Sequence, residues 1–256
     1  MCIVSTAWKC HPRWKLVVAG NRDEFHGRPA EPLARWQEQP ELIAGKDTQA
    51  GGTWLGVSEQ GRFAVVTNVA GFGAPNANKS SRGDLLKDFL SATGSYANLD
   101  IDQLSEFNPF NLVTVSDDQA VVHSNRPENT SQALPAGIHG LSNGTLEQPW
   151  PKTKYLNASL ANWLIEDAQD ASALLDVLGD RRHHSIGTSD VDNTHTEPHH
   201  STLFLCSPTY GTRCSTVLAI DHAGKGYIVE RRYCASGVAV GETRFDFVWP
   251  NNPSKQ

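Results

Sequence analysis

The order of apolar runs predicts an α+β protein built in layers. Three observations carry this: β-branched runs open the chain, helical spacing governs its middle, and strand-like runs return before the end. A doubly wound parallel sheet would instead alternate strand and helix throughout. No linker with a composition shift divides residues 1–256 and no internal repeat is visible, so the terminal strands are expected to share the core of a single domain.

Residues 2–8 and 15–21 are apolar runs joined by Cys10-His11-Pro12-Arg13, which reads as a hairpin. The second run ends in a polar knot, Asn21-Arg22-Asp23-Glu24. Residues 28–40, rich in proline and charge, are expected to form a surface excursion. A short strand follows at 41–47, and Gly51-Gly52 precedes the run Thr53-Trp54-Leu55-Gly56-Val57, permitting a tight bend or a close backbone approach. Residues 63–69 form a strand ending near Asn68, 71–78 a loop, and Ser80-Ser81-Arg82-Gly83-Asp84 can cap a helix over 85–92.

A short second helix is expected to close near Leu104, and 110–115 with 120–123 predict a second hairpin. Tyr155, Leu156, Leu160, Trp163 and Leu164 recur at helical spacing in 153–165, and another helix over 171–178 stops at Gly179. After a polar loop over 181–201, strands are predicted at 202–206, 214–220, 226–231 and 244–249.

Hydrophobic content of 39% and charged content of 20% describe a globular chain with a large core. A net charge of −6 argues against nucleic acid as a partner. No apolar run is long enough for a membrane span, and the start reads as a strand, not a signal peptide. Five cysteines, an odd number without tight pairing, suit a reducing, cytoplasmic location. Cys206, Cys214 and Cys234 are expected to be buried small hydrophobes.

Cys2 is the most specific chemical feature. Its small side chain permits removal of Met1, which would place a thiol and a free α-amine on one residue, nucleophile and base together. The histidines His183, His184, His195, His199 and His200 crowd one polar loop but lack rigid ligand spacing, so a solvated loop is expected and no metal is assigned. No phosphate loop, HExxH, EF-hand or CxxC pattern occurs.

Asn21-Arg22-Asp23-Glu24 behind Met-Cys resembles the signature of the NRDE family, also called the transport and Golgi organisation family. Gly51-Gly52-Thr53-Trp54-Leu55-Gly56, Thr67-Asn68-Val69, Ser81-Arg82-Gly83, Phe110-Asn111-Leu112, Gly140-Leu141-Ser142-Asn143, Pro149-Trp150-Pro151-Lys152 and Tyr210-Gly211-Thr212-Arg213 extend the resemblance along almost the whole chain. More distantly, the layout is similar to N-terminal-nucleophile hydrolases such as penicillin V acylase and bile salt hydrolase. This resemblance implies a four-layer αββα sandwich with mainly antiparallel sheets.

It also implies roles for particular residues. Cys2 would be the nucleophile, Asn68 and Asn143 the oxyanion-side amides, and Arg213 a late active-site arginine. Aligned with the Arg-x-x-Asp element of those hydrolases, Asn21 falls on the arginine and Glu24 on the aspartate, with Arg22 and Asp23 between them. Strand alternation would send Asn21 and Asp23 to one face and Arg22 and Glu24 to the other. Read from the residues alone, Arg22 and Glu24 could equally form an ion pair at a turn, Asn68 and Asn143 could be turn residues, and Arg213 could lie on the surface.

Two functions follow as expectations. One is an N-terminal-cysteine amidohydrolase or acyl-transfer enzyme that acts on a small amide or acyl substrate and requires no cofactor. The other, which the resemblance to the NRDE family implies, is a non-catalytic protein binding heme or acyl-coenzyme A in a pocket that Phe25, Trp54 and Arg213 could line.

Overall fold

In a computed structural model describing residues 2–145, 150–166, 170–182 and 202–250, the described strands are, in chain order, β1 (Ile3–Trp8), β2 (Trp14–Phe25), β3 (Ala30–Arg35), β4 (Leu42–Asp47), β5 (Leu55–Ser58), β6 (Arg62–Asn68), β7 (Phe110–Ser116), β8 (Gln119–Ser124), β9 (Thr130–Ala133), β10 (Gly137–Leu141), β11 (Tyr210–Asp221), β12 (Lys225–Tyr233) and β13 (Ala239–Val248). The helices are α1 (Arg82–Ser91), α2 (Pro151–Ile165) and α3 (Ala171–Leu178). One sheet has the order β10-β1-β2-β11-β12-β13 and the other runs β3-β4-β5-β6-β7-β8-β9. Neighbouring strands in both are antiparallel.

Strand alternation sorts the side chains into layers. In β1, Val4 and Trp8 join Leu16, Val18 and Leu218 of the same sheet against Val57, Phe63 and Val113 of the other. Ile3 and Ala7 point the opposite way, where Leu156, Leu160 and Trp163 of α2 and Leu174 and Leu175 of α3 cover them. On the outer face of the second sheet, Ala64 and Leu112 pack against Leu85, Leu86, Phe89 and Leu90 of α1. Helices, sheet, sheet, helix: the described residues form a four-layer αββα sandwich of two antiparallel sheets, as the sequence implied. Among the described residues, no helix is long and apolar enough to cross a membrane.

Several boundaries differ from expectation. Strand β2 runs through the polar knot to Phe25, so Asn21–Glu24 lie in a sheet and not at a turn. The proline-rich excursion contains β3, an edge strand in which Leu33 alone is buried; an edge tolerates Pro32 and alternating charge because its outer hydrogen bonds face away from the sheet. No strand forms at 202–206: Cys206 makes only an isolated bridge to Gly211, and β11 begins at Tyr210. Only Cys214 of the three later cysteines is buried; Cys206 is exposed and Cys234 half-buried, because they flank turns instead of sitting inside strands. The histidine cluster lies outside the described residues.

Candidate functional site

The register of the first sheet assembles the site. Ile3 pairs with Asn21, which carries Cys2 opposite Arg22; Arg22 pairs with Cys214, and Cys214 with Arg232. At this end the apolar core stops, and a cavity of about 740 Å³ opens between the sheets. Cys2, Arg22, Glu24, Cys214 and Glu230 line it from one sheet, with Asp47, Trp54 and Asn68 facing them from the other. Ser81, Arg82 and Gly83 close one side with the start of α1. The helix begins there because Ser81 caps it, its hydroxyl accepting from the Gly83 N–H at 3.2 Å. Gly52 lies against Gly83 so closely that a side chain on Gly52 would meet the Gly83 backbone.

Alternation divides the polar knot. Arg22 faces the cavity, 3.4 Å from Asp47 and 3.9 Å from Glu24. Arg28 completes the network, 2.5 Å from Asp47 and 3.8 Å from Glu24. Asn21 turns to the helical layer. Its amide donates to the Leu178 and Leu203 carbonyls at 2.8 Å each and accepts from the Ser215 hydroxyl at 2.6 Å. Asn21 therefore does not occupy the position beside the thiol that the aligned arginine implied; the guanidinium there belongs to Arg22. Asp23 is buried where the strand borders the cavity, and its carboxylate accepts from the Thr212 hydroxyl at 2.7 Å.

Burial pushes the Cys2 thiol up from its ordinary value, and the Asp23 charge adds to this, while the Asp23 backbone N–H and the Arg22 guanidinium pull the other way. Burial also raises Asp23, against the Lys152 charge and the Thr212 hydrogen bond. Cys214 is raised well above the usual thiol range by burial and by its neighbour Glu230. Glu230 is itself raised by burial, although one oxygen accepts from the Leu33 N–H at 2.9 Å. Burial lowers Arg82 and the Arg28 charge adds to this, while the Glu24 carboxylate opposes it.

The remaining predicted residues are placed as follows. Asn68 and Trp54 line the cavity. Asn143 is buried behind Asn68, its amide donating to the Asn68 carbonyl at 2.7 Å, with its own side-chain oxygen left without a hydrogen bond. Arg213 reaches the cavity wall, and its Nη1 donates to the Phe25, His26 and Arg28 carbonyls at 2.9, 3.2 and 3.0 Å. Phe25 is 60% exposed and stacks edge-on against Tyr210 outside the cavity.

Sequence reasoning did not single out Arg28, Asp47, Arg82, Glu230 or Lys152 as site residues. Arg82 and Lys152 carried a signal. Each is a cation in the first turn of its helix, where the dipole disfavours positive charge, so another group must compensate.

The chain matches the Transport and Golgi organisation 2 family over residues 1–235. It is 29% identical to the human Transport and Golgi organization protein 2 homolog, covering 95% of this chain and 97% of the human protein. The Bos taurus homolog is 30% identical with the same coverage, 95% and 97%. Among solved structures, the C2A mutant of conjugated bile acid hydrolase from Clostridium perfringens is similar, with a TM-score of 0.52 at 8% identity over 96% of this chain and 92% of that one. This last likeness speaks to the fold alone. The family match spans every described strand but β13, and the chain belongs to the Transport and Golgi organisation 2 family.

Proposed function

We propose that the chain is an N-terminal-cysteine amidohydrolase or acyl-transfer enzyme acting on a small amide or acyl substrate. One observation carries this reading: Cys2 lies on the wall of a large inter-sheet cavity, in register with Arg22 and across from Asn68. Burial holds the thiol neutral, so a base is needed. Removal of Met1 would supply one, the α-amine of Cys2. That amine takes the Sγ proton as sulfur bonds to the substrate carbonyl carbon. The Asn68 amide donates to the developing oxyanion, while Asn143 holds the Asn68 backbone. Collapse breaks the bond to the leaving group, which departs with the proton from the ammonium. Water, or another acceptor, then releases the acyl group and restores the thiol.

The cavity wall carries seven lysines and arginines against five aspartates and glutamates, an excess of positive charge in a chain of net charge −6. That balance favours a substrate with an acidic group.

The cation excess also supports the second reading, non-catalytic binding of acyl-coenzyme A. Heme fits less well. None of the described lining residues is a histidine or methionine, and burial keeps the Cys2 and Cys214 thiols and the Tyr233 phenol protonated, which disfavours each of them as an axial ligand for iron.

Intact-mass measurement after exposure to an electrophilic acyl probe tests the proposal. Peptide mapping of the Met1-free protein should place an adduct on Cys2, and Cys2→Ala should lose that site while the exposed Cys10 and Cys206 are labelled as before. No adduct at Cys2 of the Met1-free chain, together with a thermal shift on adding acyl-coenzyme A, would replace catalysis with binding.

A further inference from the structure

Seven lysines and arginines line the cavity, and six of them have a partner. Arg22 and Arg28 share Asp47, at 3.4 and 2.5 Å, and Lys46 lies 3.9 Å from Glu38. Arg82 donates to the Pro109 carbonyl at 3.1 Å, Lys79 to the Ser105 carbonyl at 2.5 Å, and Arg213 to the Phe25, His26 and Arg28 carbonyls. Arg232 differs. Among the described residues its guanidinium makes no hydrogen bond or ion pair, although the side chain is half-buried and Nε is shut off from solvent. Glu230, two residues back, gives one oxygen to the Leu33 N–H at 2.9 Å and forms no ion pair with it. Buried donors in folded proteins are satisfied as a rule, and an oxyanion entering the cavity would satisfy this one.

The sheet register gives this guanidinium an address. Cys2, Arg22, Cys214, Arg232 and Gly241 stand in one row from the start of β1 to β13. Residues opposite one another share a face, so Arg232 looks into the same cavity as Cys2. Its guanidinium rests against Gly241, where a Cβ would collide with Nη2 and sit 3.3 Å from Cζ. The cavity reaches this far, since Val240 also lines it. Four gaps of about 4.8 Å separate Cys2 from Gly241, about 19 Å in all.

We propose that Arg232 determines specificity by binding an oxyanion, a carboxylate or a phosphate, carried at the far end of an extended acyl substrate about 19 Å from its reacting carbonyl. The place of the carbonyl rests on the N-terminal-cysteine reading above, whereas the anion site stands on Arg232 itself. A guanidinium takes either oxyanion as a planar fork, which a lysine could not.

Nitrophenyl monoesters of long dicarboxylic acids test this. The Cys2 sulfur bonds to the activated carbonyl and expels nitrophenolate, leaving the distal carboxylate free to reach Arg232. With a chain spanning about 19 Å, labelling of Cys2 in Met1-free protein, followed by peptide mapping, should be at least about tenfold faster for a distal carboxylate than for a distal methyl group. A chain of about half that span should show no preference. A phosphate-ended probe of the full span separates the two sources, since the oxyanion giving the larger ratio is the one the site is built for. The ratio should fall to about one in Arg232→Met.

A ratio near one in the parent, or a preference that persists in Arg232→Met, overturns the inference. Binding is read separately, by calorimetric titration of Cys2→Ala with the unreactive monomethylamide of the same long diacid and with its phosphate-ended counterpart. Affinity for one of them should drop at least about tenfold in Cys2→Ala/Arg232→Met. That drop, in a protein whose Cys2 never reacts, leaves the anion site standing and sinks the catalytic reading alone, whereas no drop for either ligand overturns the site. If Arg232→Met does not fold, Arg232→Gln, which keeps a polar side chain and loses the charge, takes its place in both measurements.

Discussion

Asn21 shows how one residue of register separates chemistry from architecture. Its amide ties β2 to the carbonyls of Leu178 and Leu203, so Asn21→Ala leaves two buried acceptors without donors. The expected outcome is a stability loss of at least about 2 kcal/mol by chemical denaturation, with the probe reactivity of Cys2 per folded molecule retained. Gly52 makes the complementary case. Its absent Cβ would approach the Gly83 carbonyl carbon to within 2.2 Å, and backbone cannot swing aside. Gly52→Ala should therefore lower stability by about 1–3 kcal/mol, read from the denaturation midpoint. The need for glycine at 52 was legible in the sequence as a close approach, whereas what it approaches was not, because Gly83 is distant along the chain. The alternation of Asn21 to Glu24 was legible too. Which of the two faces held the cavity depends on partners far along the chain, and a linear alignment placed Asn21 where Arg22 stands.

At the level of elements, β2 is the informative strand. Its first half is apolar on both faces because helices cover one side and the second sheet the other. Its last residues are polar because the cavity replaces the core on one face and buried carbonyls and hydroxyls await on the other. A polar run after an apolar strand reads as a turn in sequence, and only the pairing of Glu24 with Gly211 and Phe25 with Tyr210 extends it. Helix α1 was readable in outline, from Ser81 and the leucines that follow. The cap is also testable. Ser81→Ala removes the acceptor for the Gly83 N–H and should cost about 1 kcal/mol of stability, measured by thermal or chemical unfolding. Because the start of α1 forms one side of the cavity, that variant should also slow labelling of Cys2 if the helix start frays.

Across the whole molecule, pH reports on the packing of the second sheet. His123 is buried between the hydroxyls of Thr114 and Ser131, at 3.0 and 2.8 Å, and desolvation pushes its pKa down from 6.5 to about 4. The unfolded chain thus takes up this proton near 6.5, and the folded chain only near 4. The stability held in the neutral imidazole is whole above 6.5 and is lost as pH falls toward 4. The full effect is about 3 kcal/mol. Asp23 and Glu230, whose folded values are raised by burial, act in the opposite sense as pH falls. Comparing the chain with His123→Gln isolates the histidine: the stability difference between them should shrink steadily over that window in denaturation curves taken at successive pH values.

The layered architecture was readable from the order of strands and helices, because periodicity is local. The strand order was not, since β2 meets β11 across almost the whole chain. The hydrogen bond joining Asn21 to Ser215 spans 194 residues. During translation the opening hairpin must wait for that partner roughly 10–40 s at ordinary synthesis rates, and two strands alone are barely stable in water. For this interval the amino terminus trails from the ribosome as loose chain. If the thiol is to be unmasked by trimming, this is the interval in which an aminopeptidase meets it, before later strands wall it in. Protein made without that peptidase and folded first should then resist trimming afterwards.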